Sequence, residues 1–204
     1  MHKSIYNLKK IKKEIYSKSS QNKSVAQIIA VTKTFSMEHI TYLINDGHLD
    51  FGENKVQEAV DKWSDVKFNS PNLNLHMIGK LQTNKVKFAV KLFDYIHSVD
   101  SEKLAKKIAD EQNKINKNIK IFLQVNIGDE NQKSGINKNE LKFLVNYCNE
   151  INLDLIGLMC IPPANINPEV YFDEMKKLNR SLGFEELSMG TVSYTHLRAH
   201  ETTP

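Results

Sequence analysis

The sequence predicts an α/β fold of parallel strands, a (β/α)8 TIM-type barrel that lacks its eighth strand. Three observations carry that expectation. Strand-length apolar runs alternate with helix-period segments along the chain, the pattern of parallel βα units. No GxGxxG follows the first strand, so a dinucleotide-binding open sheet lacks its fingerprint. Polar residues collect at the C-terminal ends of the strands, namely Lys33, Glu53 with Asn54, Lys80 with Gln82, Asp100, Asn126 and Ser188. A barrel builds its site there, from the βα loops.

The chain opens on an amphipathic helix, with Ile5, Leu8, Ile11 and Ile15 at helical spacing in a lysine-rich setting. Strands are then expected at QIIAVTKT (27–34), HLDFGEN (48–54), NLHMIGK (74–80), YIHSVD (95–100), KIFLQVN (120–126), DLIGLMC (154–160) and EELSMG (185–190). The first of these reads as a continuous β-branched run, as in a strand covered on both faces. Helical segments lie between them. Ser36 is the expected N-cap of SMEHITYLINDG, which stops at Gly47, and Ser101 that of SEKLAKKIADEQNK. NKVQEAVDKW, TNKVKFAVKLF and NKNELKFLVNYCNE follow the same period, and Pro168 suits the first turn of PEVYFDEMKKLN.

A chain of 204 residues, 40% hydrophobic and 25% charged, is one domain with enough residues for a sizeable core. No apolar run approaches the roughly 20 residues that span a bilayer, and no apolar h-region follows the N-terminal lysines, so no membrane association is expected. Cys148 and Cys160 have no CxxC spacing, which points to a reducing, cytoplasmic setting. The net charge of +4 invites a nucleic-acid reading. The lysines, however, are spread along helices among Asp and Glu, with no nucleic-acid motif, and read as a solvated outer face.

The run IIAV at 28–31 ends on Thr32, Lys33 and Thr34 instead of a turn signal. A lysine at a rigid strand end is either solvated at the barrel mouth or aimed into a pocket, and the residues alone leave both readings open. Seven segments in order then carry a resemblance: AVTKTF, DFGENKVQE (50–58), HMIGKLQTNK (76–85), IHSVD (96–100), LQVNIGDENQKSGI (123–136), GLMCIPP (157–163) and LSMG (187–190). Together they resemble the pyridoxal phosphate (PLP) homeostasis protein family, whose barrel is similar to that of alanine racemase. The resemblance implies a PLP-binding protein that holds the cofactor as a Schiff base on Lys33, stores or delivers it, and has no robust catalysis.

The same resemblance assigns further cofactor contacts. Asn54 is placed to reach the PLP ring oxygen or to hold Lys33, against a plain strand-to-helix cap. His76 lies inside a strand, where a histidine satisfied by its neighbours is the commoner case. Ser188, Met189 and Gly190 stand where the seventh strand meets the phosphate region, since barrels often bind phosphate at loops seven and eight. Lys133, in a polar loop, is a candidate for a secondary PLP or regulatory role. The implied partners are PLP and PLP-dependent apoenzymes, with the protein a monomer and no nucleic acid involved. The runner-up is a PLP-dependent amino-acid racemase, which needs a second base opposite the lysine from another domain or subunit. A generic phosphate-binding barrel enzyme is the third reading.

After Gly190 the resemblance stops. The family continues into a Met-Ser turn, a helix and an eighth strand with an Arg-Ile-Gly segment, whereas this chain reads TVSYTHLRAHETTP. Residues 191–204 are similar to a translated sequencing-adapter read-through, which divides the chain into a barrel domain, 1–190, and a foreign tail, 191–204. Strands one and seven are then expected to carry unpaired edges. The β-favouring Thr191, Val192, Tyr194 and Thr195 could extend strand seven, but the tail is too short for a helical crossover to a new parallel strand. His196 and His200 share an H-x3-H spacing without further ligands and make no metal site, and Arg198 is no substitute for the family arginine.

Overall fold

The computed structural model describes residues 2–18, 26–128, 134–163, 167–190 and 199–203. Lys133, Thr191, Val192, Tyr194, Thr195, His196 and Arg198 lie outside the described residues. Seven strands run in chain order around the barrel: β1 Gln27–Val31, β2 Asp50–Glu53, β3 Asn74–Met77, β4 Tyr95–Val99, β5 Lys120–Val125, β6 Asp154–Cys160 and β7 Glu186–Met189. Every neighbouring pair among them is parallel. Helix α1, Lys3–Lys18, precedes β1, and the crossovers are α2 Met37–Asn45, α3 Val56–Asn69, α4 Val86–Leu92, α5 Glu102–Lys114, α6 Lys138–Glu150 and α7 Pro168–Ser181. The sequence expectation of seven βα-type strands without a parallel eighth holds.

Side-chain alternation divides the apolar residues into two layers. Phe51, Leu75, Met77, Ile96 and Leu123 point outward and join the helix-facing core with Trp63, Ala89, Leu104 and Ile108. In α5 the buried apolar residues are Leu104, Ala105, Ile108 and Ala109, one stripe at helical period. Ile29, Ile78, Phe122 and Met159 are also buried but stand outside that cluster, filling the lumen as inward side chains of a packed barrel do.

The helix boundaries follow the sequence reading with one physical difference. Ser36 and Ser101 occupy N-cap positions in extended backbone, yet neither side chain makes a capping bond. The Ser36 hydroxyl instead pairs with His39 Nδ1 at 3.0 Å. At α7 the cap is Asn167, whose side chain accepts from the Glu169 N–H, with Pro168 in the first turn.

The expectation of two open edges is corrected. Ala199–Thr203 form β8, which runs antiparallel to both β1 and β7 and closes the sheet. An antiparallel return needs no crossover helix, so a segment too short for a βα unit still reaches the gap. Both buried cysteines are free, and burial pushes each thiol up to about 12. At neutral pH they are unreactive thiols.

Candidate functional site at the barrel mouth

Lys33 lies in the turn that follows β1, half-buried, at the C-terminal mouth. The backbone just before it is held on two sides. Thr32 N–H donates to the Gly52 carbonyl at 2.9 Å, and the Thr32 carbonyl accepts from Lys62 Nζ at 2.8 Å. Glu53 organises this clamp from a fully buried position. Its Oε1 accepts from Thr32 Oγ1 at 2.7 Å, Lys62 Nζ at 2.8 Å and Trp63 Nε1 at 2.9 Å. Its Oε2 is buried with no hydrogen-bond partner. The sequence shows why these residues meet: Glu53 and Thr32 are outward-facing ends of adjacent strands, and Lys62 and Trp63 lie on the α3 face packed over them.

Asn54 follows Glu53 at the mouth and is half-buried. The next loop presses on it so closely that a Cβ at Gly79 would stand 2.2 Å from the Asn54 carbonyl oxygen. Only a glycine fits there, so Gly79 keeps the β2 and β3 ends together. On the far side, Gly190 N–H donates to the Cys160 carbonyl at 3.0 Å, and Met189 is half-buried at the end of β7. Lys80 and Gln82, which the sequence placed with the strand-end polar group, are exposed.

His76 and Ser188 are in the lumen, within one polar chain. His76 Nε2 is 3.2 Å from Asp50 Oδ1, His76 Nδ1 is 3.0 Å from His97 Nε2, and His97 Nδ1 is 2.8 Å from Ser188 Oγ. Tyr95 stacks on the His76 ring with centroids 4.3 Å apart, and Phe122 stacks on His97 at 4.4 Å. Strands β4 and β7 are not neighbours, so the His97–Ser188 bond crosses the barrel. Asp50 and His97 carry no role in the sequence reading. Their signal was a polar residue on the inward side of a strand buried on both faces, which demands a partner.

Burial pushes the Asp50 carboxyl up, but hydrogen bonds from His76, Gln27 and Asn74 outweigh it and hold it below the ordinary carboxylate range. Burial pulls His76 and His48 below their ordinary 6.5. These two imidazoles therefore favour the folded chain only while neutral. The unfolded chain takes up protons on them first as pH falls below about 6.5, so stability is full above that value and declines toward the lower folded-state pKa values. Each histidine contributes a slope of at most about 1.4 kcal/mol per pH unit in that window. Urea titrations at successive pH values should show stability falling as the pH drops below about 6.5, and a flat profile there would contradict these assignments.

A cavity of about 230 Å³ lies at the opposite end of the barrel, between α1 and the starts of β1 and β2, with Lys12, Tyr16, Gln27, His48 and Asp50 in its wall. It is not the site at Lys33. Among the described residues, no three His, Cys, Asp or Glu side chains gather as metal ligands, and no helix is long and apolar enough to cross a membrane.

The profile of the alanine racemase N-terminal domain matches residues 6–191. The pyridoxal phosphate homeostasis protein of Aquifex aeolicus is 36% identical over 183 residues, covering 85% of this chain and 79% of that protein. The chain belongs to the pyridoxal phosphate homeostasis protein family. The member from Pasteurella multocida is 32% identical over 198 residues, across 90% of this chain and 85% of its own length. Among solved structures, PipY of Synechococcus elongatus with PLP bound superposes at a TM-score of 0.77 with 30% identity, covering 89% of this chain and 87% of PipY. Alanine racemase of Clostridium difficile, 14% identical at a TM-score of 0.63, shares the fold. In this homeostasis-family chain Lys33 lies in the turn after β1, at the end of the barrel where the βα loops gather.

Proposed function

We propose that the protein binds PLP, holds it as a Schiff base on Lys33 without robust catalysis, and serves intracellular PLP homeostasis by storing the cofactor or passing it to PLP-dependent apoenzymes. We further infer a cytoplasmic monomer whose PLP-binding domain is residues 1–190, with 191–204 foreign in origin although its Ala199–Thr203 stretch closes the sheet as β8. The observation that carries the reading is Lys33 itself, half-buried at the mouth directly after a residue clamped by Glu53 and Lys62. When bound, PLP supplies an electrophilic aldehyde. The chain supplies a primary amine whose backbone is fixed by its neighbours, the group that condenses with such an aldehyde.

The residues present fit the aldehyde end of PLP better than its phosphate. Lys33 and Asn54 border the mouth, and PipY, 30% identical, is a PLP-bound relative. At the end of β7, however, the Ser188 hydroxyl is engaged with His97 and the Gly190 N–H with the Cys160 carbonyl. Of the assigned contacts, Lys33 is the covalent one, Asn54 and Met189 are mouth contacts, and His76 acts from beneath through its ring and its network.

The test is borohydride reduction of the protein incubated with PLP, followed by peptide mapping. The adduct is expected on Lys33, and Lys33→Ala should remove it and the visible absorption of the bound cofactor. An adduct found only on Lys133 or on the N-terminal lysines would sink the assignment. The non-catalytic half is decided separately: alanine racemisation above that of free PLP, and lost in Lys33→Ala, promotes the racemase reading.

A further inference from the structure

Asp50, His76, His97 and Ser188 form an unbroken line through the lumen, from the cavity at the N-terminal face to the strand that ends at the mouth. Each link is within hydrogen-bond distance, and His76 and His97 are 2% and 0% exposed. A neutral imidazole has one N–H and one acceptor nitrogen, so a line of two imidazoles has a direction. We propose that Asp50 sets this direction and commits the Ser188 hydroxyl proton inward to His97, so that Ser188 meets a bound ligand as a hydrogen-bond acceptor and not as a phosphate donor.

The direction follows link by link. The Asp50 carboxylate has only acceptors, so His76 Nε2 carries the proton. His76 Nδ1 is then an acceptor, which makes His97 Nε2 the donor across their 3.0 Å contact. In a neutral His97 ring Nδ1 is thereby left without a proton, and the Ser188 hydroxyl donates to it across 2.8 Å. The charged and titratable groups around His76 are Asp50 on β2, His97 and Tyr95 on β4, and, further off, Asp94, Lys67 and His48. Burial outweighs the two carboxylates and keeps the ring neutral.

One proton reverses the line. A doubly protonated His76 donates to Asp50 and to His97 together, His97 then carries its proton on Nδ1, and Ser188 accepts from it. The serine proton is released for an acceptor elsewhere, across the lumen from the titrated ring. In the neutral state Ser188 suits a protonated ligand group, such as a ring nitrogen or an amine, and phosphate has to find its donors on other residues. The ligand half of this inference rests on the PLP reading above; the direction of the line does not.

Nitrogen-15 NMR of the side chains in the unmodified, ligand-free protein decides the direction. At neutral pH both His76 and His97 are expected as Nε2–H tautomers, and on acidification His97 should change to the Nδ1–H tautomer as His76 gains its proton. A protonated His97 Nδ1 at neutral pH overturns the proposal. Spectroscopic titrations of Ser188→Ala with PLP and with pyridoxal, which lacks the phosphate, test the ligand half. Both affinities are expected to fall by the same factor, about fivefold for one lost hydrogen bond. A loss confined to PLP, or no loss for either compound, overturns it. If neither compound binds the unmodified chain, the PLP reading and the ligand half fail together, while the tautomers still decide the line itself.

Discussion

Glu53→Ala is expected to lower stability by about 3–5 kcal/mol and the melting temperature by roughly 10 °C for a chain of this size. The substitution leaves the buried Trp63 Nε1 without its acceptor and the Lys62 ammonium without its counter-charge, with only the Thr32 carbonyl still accepting from it. A buried donor without an acceptor retains its full desolvation cost. The clamp also ends one residue before Lys33, so PLP attachment should fall further than stability alone accounts for, read as adduct yield well below the melting transition. Glu53→Gln keeps an acceptor oxygen for the three donors and should cost less. Removing the stranded cation as well, in Glu53→Ala/Lys62→Met, should recover part of the loss. A melting curve for Glu53→Ala within about 1 °C of the parent would show that the clamp stabilises nothing.

Gly157→Ala should cost about 3 kcal/mol or more and leave much of the protein insoluble. Its Cβ would stand 1.8 Å from the Glu186 carbonyl oxygen, and the obstacle is backbone. Gly157 is paired with Glu186 at the start of the β6–β7 ladder, just where the β5–β6 register shifts. Making room there parts the two strands that carry Met159, Ser188 and Met189. Gly52→Ala is the control, because its Cβ meets only the side-chain carbons of Ile29 and Ile78, each at 3.0 Å. Equal melting temperatures for the two variants would refute the argument.

The seven parallel strands were legible because each is a short apolar run ending in a polar residue, and a βα unit makes both features locally. The position of Lys33 was legible for the same reason, since a charge closing a continuous β-branched run is visible without knowing its neighbours, whereas the residues alone left its role open. Asp50 and His97 were not. Each reads alone as one polar residue in a strand, and the partner of Ser188 is 91 positions away, on a strand that becomes adjacent only across a closed lumen. Glu53 was legible as a strand-end polar residue but not as a clamp, because its partners come from the opposite, helix-facing side. The last strand was hidden altogether: the β-favouring residues of the tail, Thr191 to Thr195, suggested only an extension of strand seven, whereas β8 is Ala199–Thr203. Whether such a segment pairs parallel or antiparallel depends on the route the chain takes to reach its neighbour.

The antiparallel pairing of β8 sets the order in which the molecule can be assembled. Strands β1 through β7 are joined by local crossovers, so each can dock on its predecessor as soon as the intervening helix has formed. The last seam joins Gln27 to Thr202, the two ends of the sheet in sequence. Closing so long a loop costs only slightly more entropy than closing one half its length, yet the seam cannot form until the arc from β1 to β7 has brought its edges within reach. Until then that arc has two bare parallel edges, one of them leading into Lys33, and growth onto another chain competes with closure onto itself. The yield of folded protein therefore depends on chain concentration during folding, through a race between an intramolecular seam and an intermolecular one.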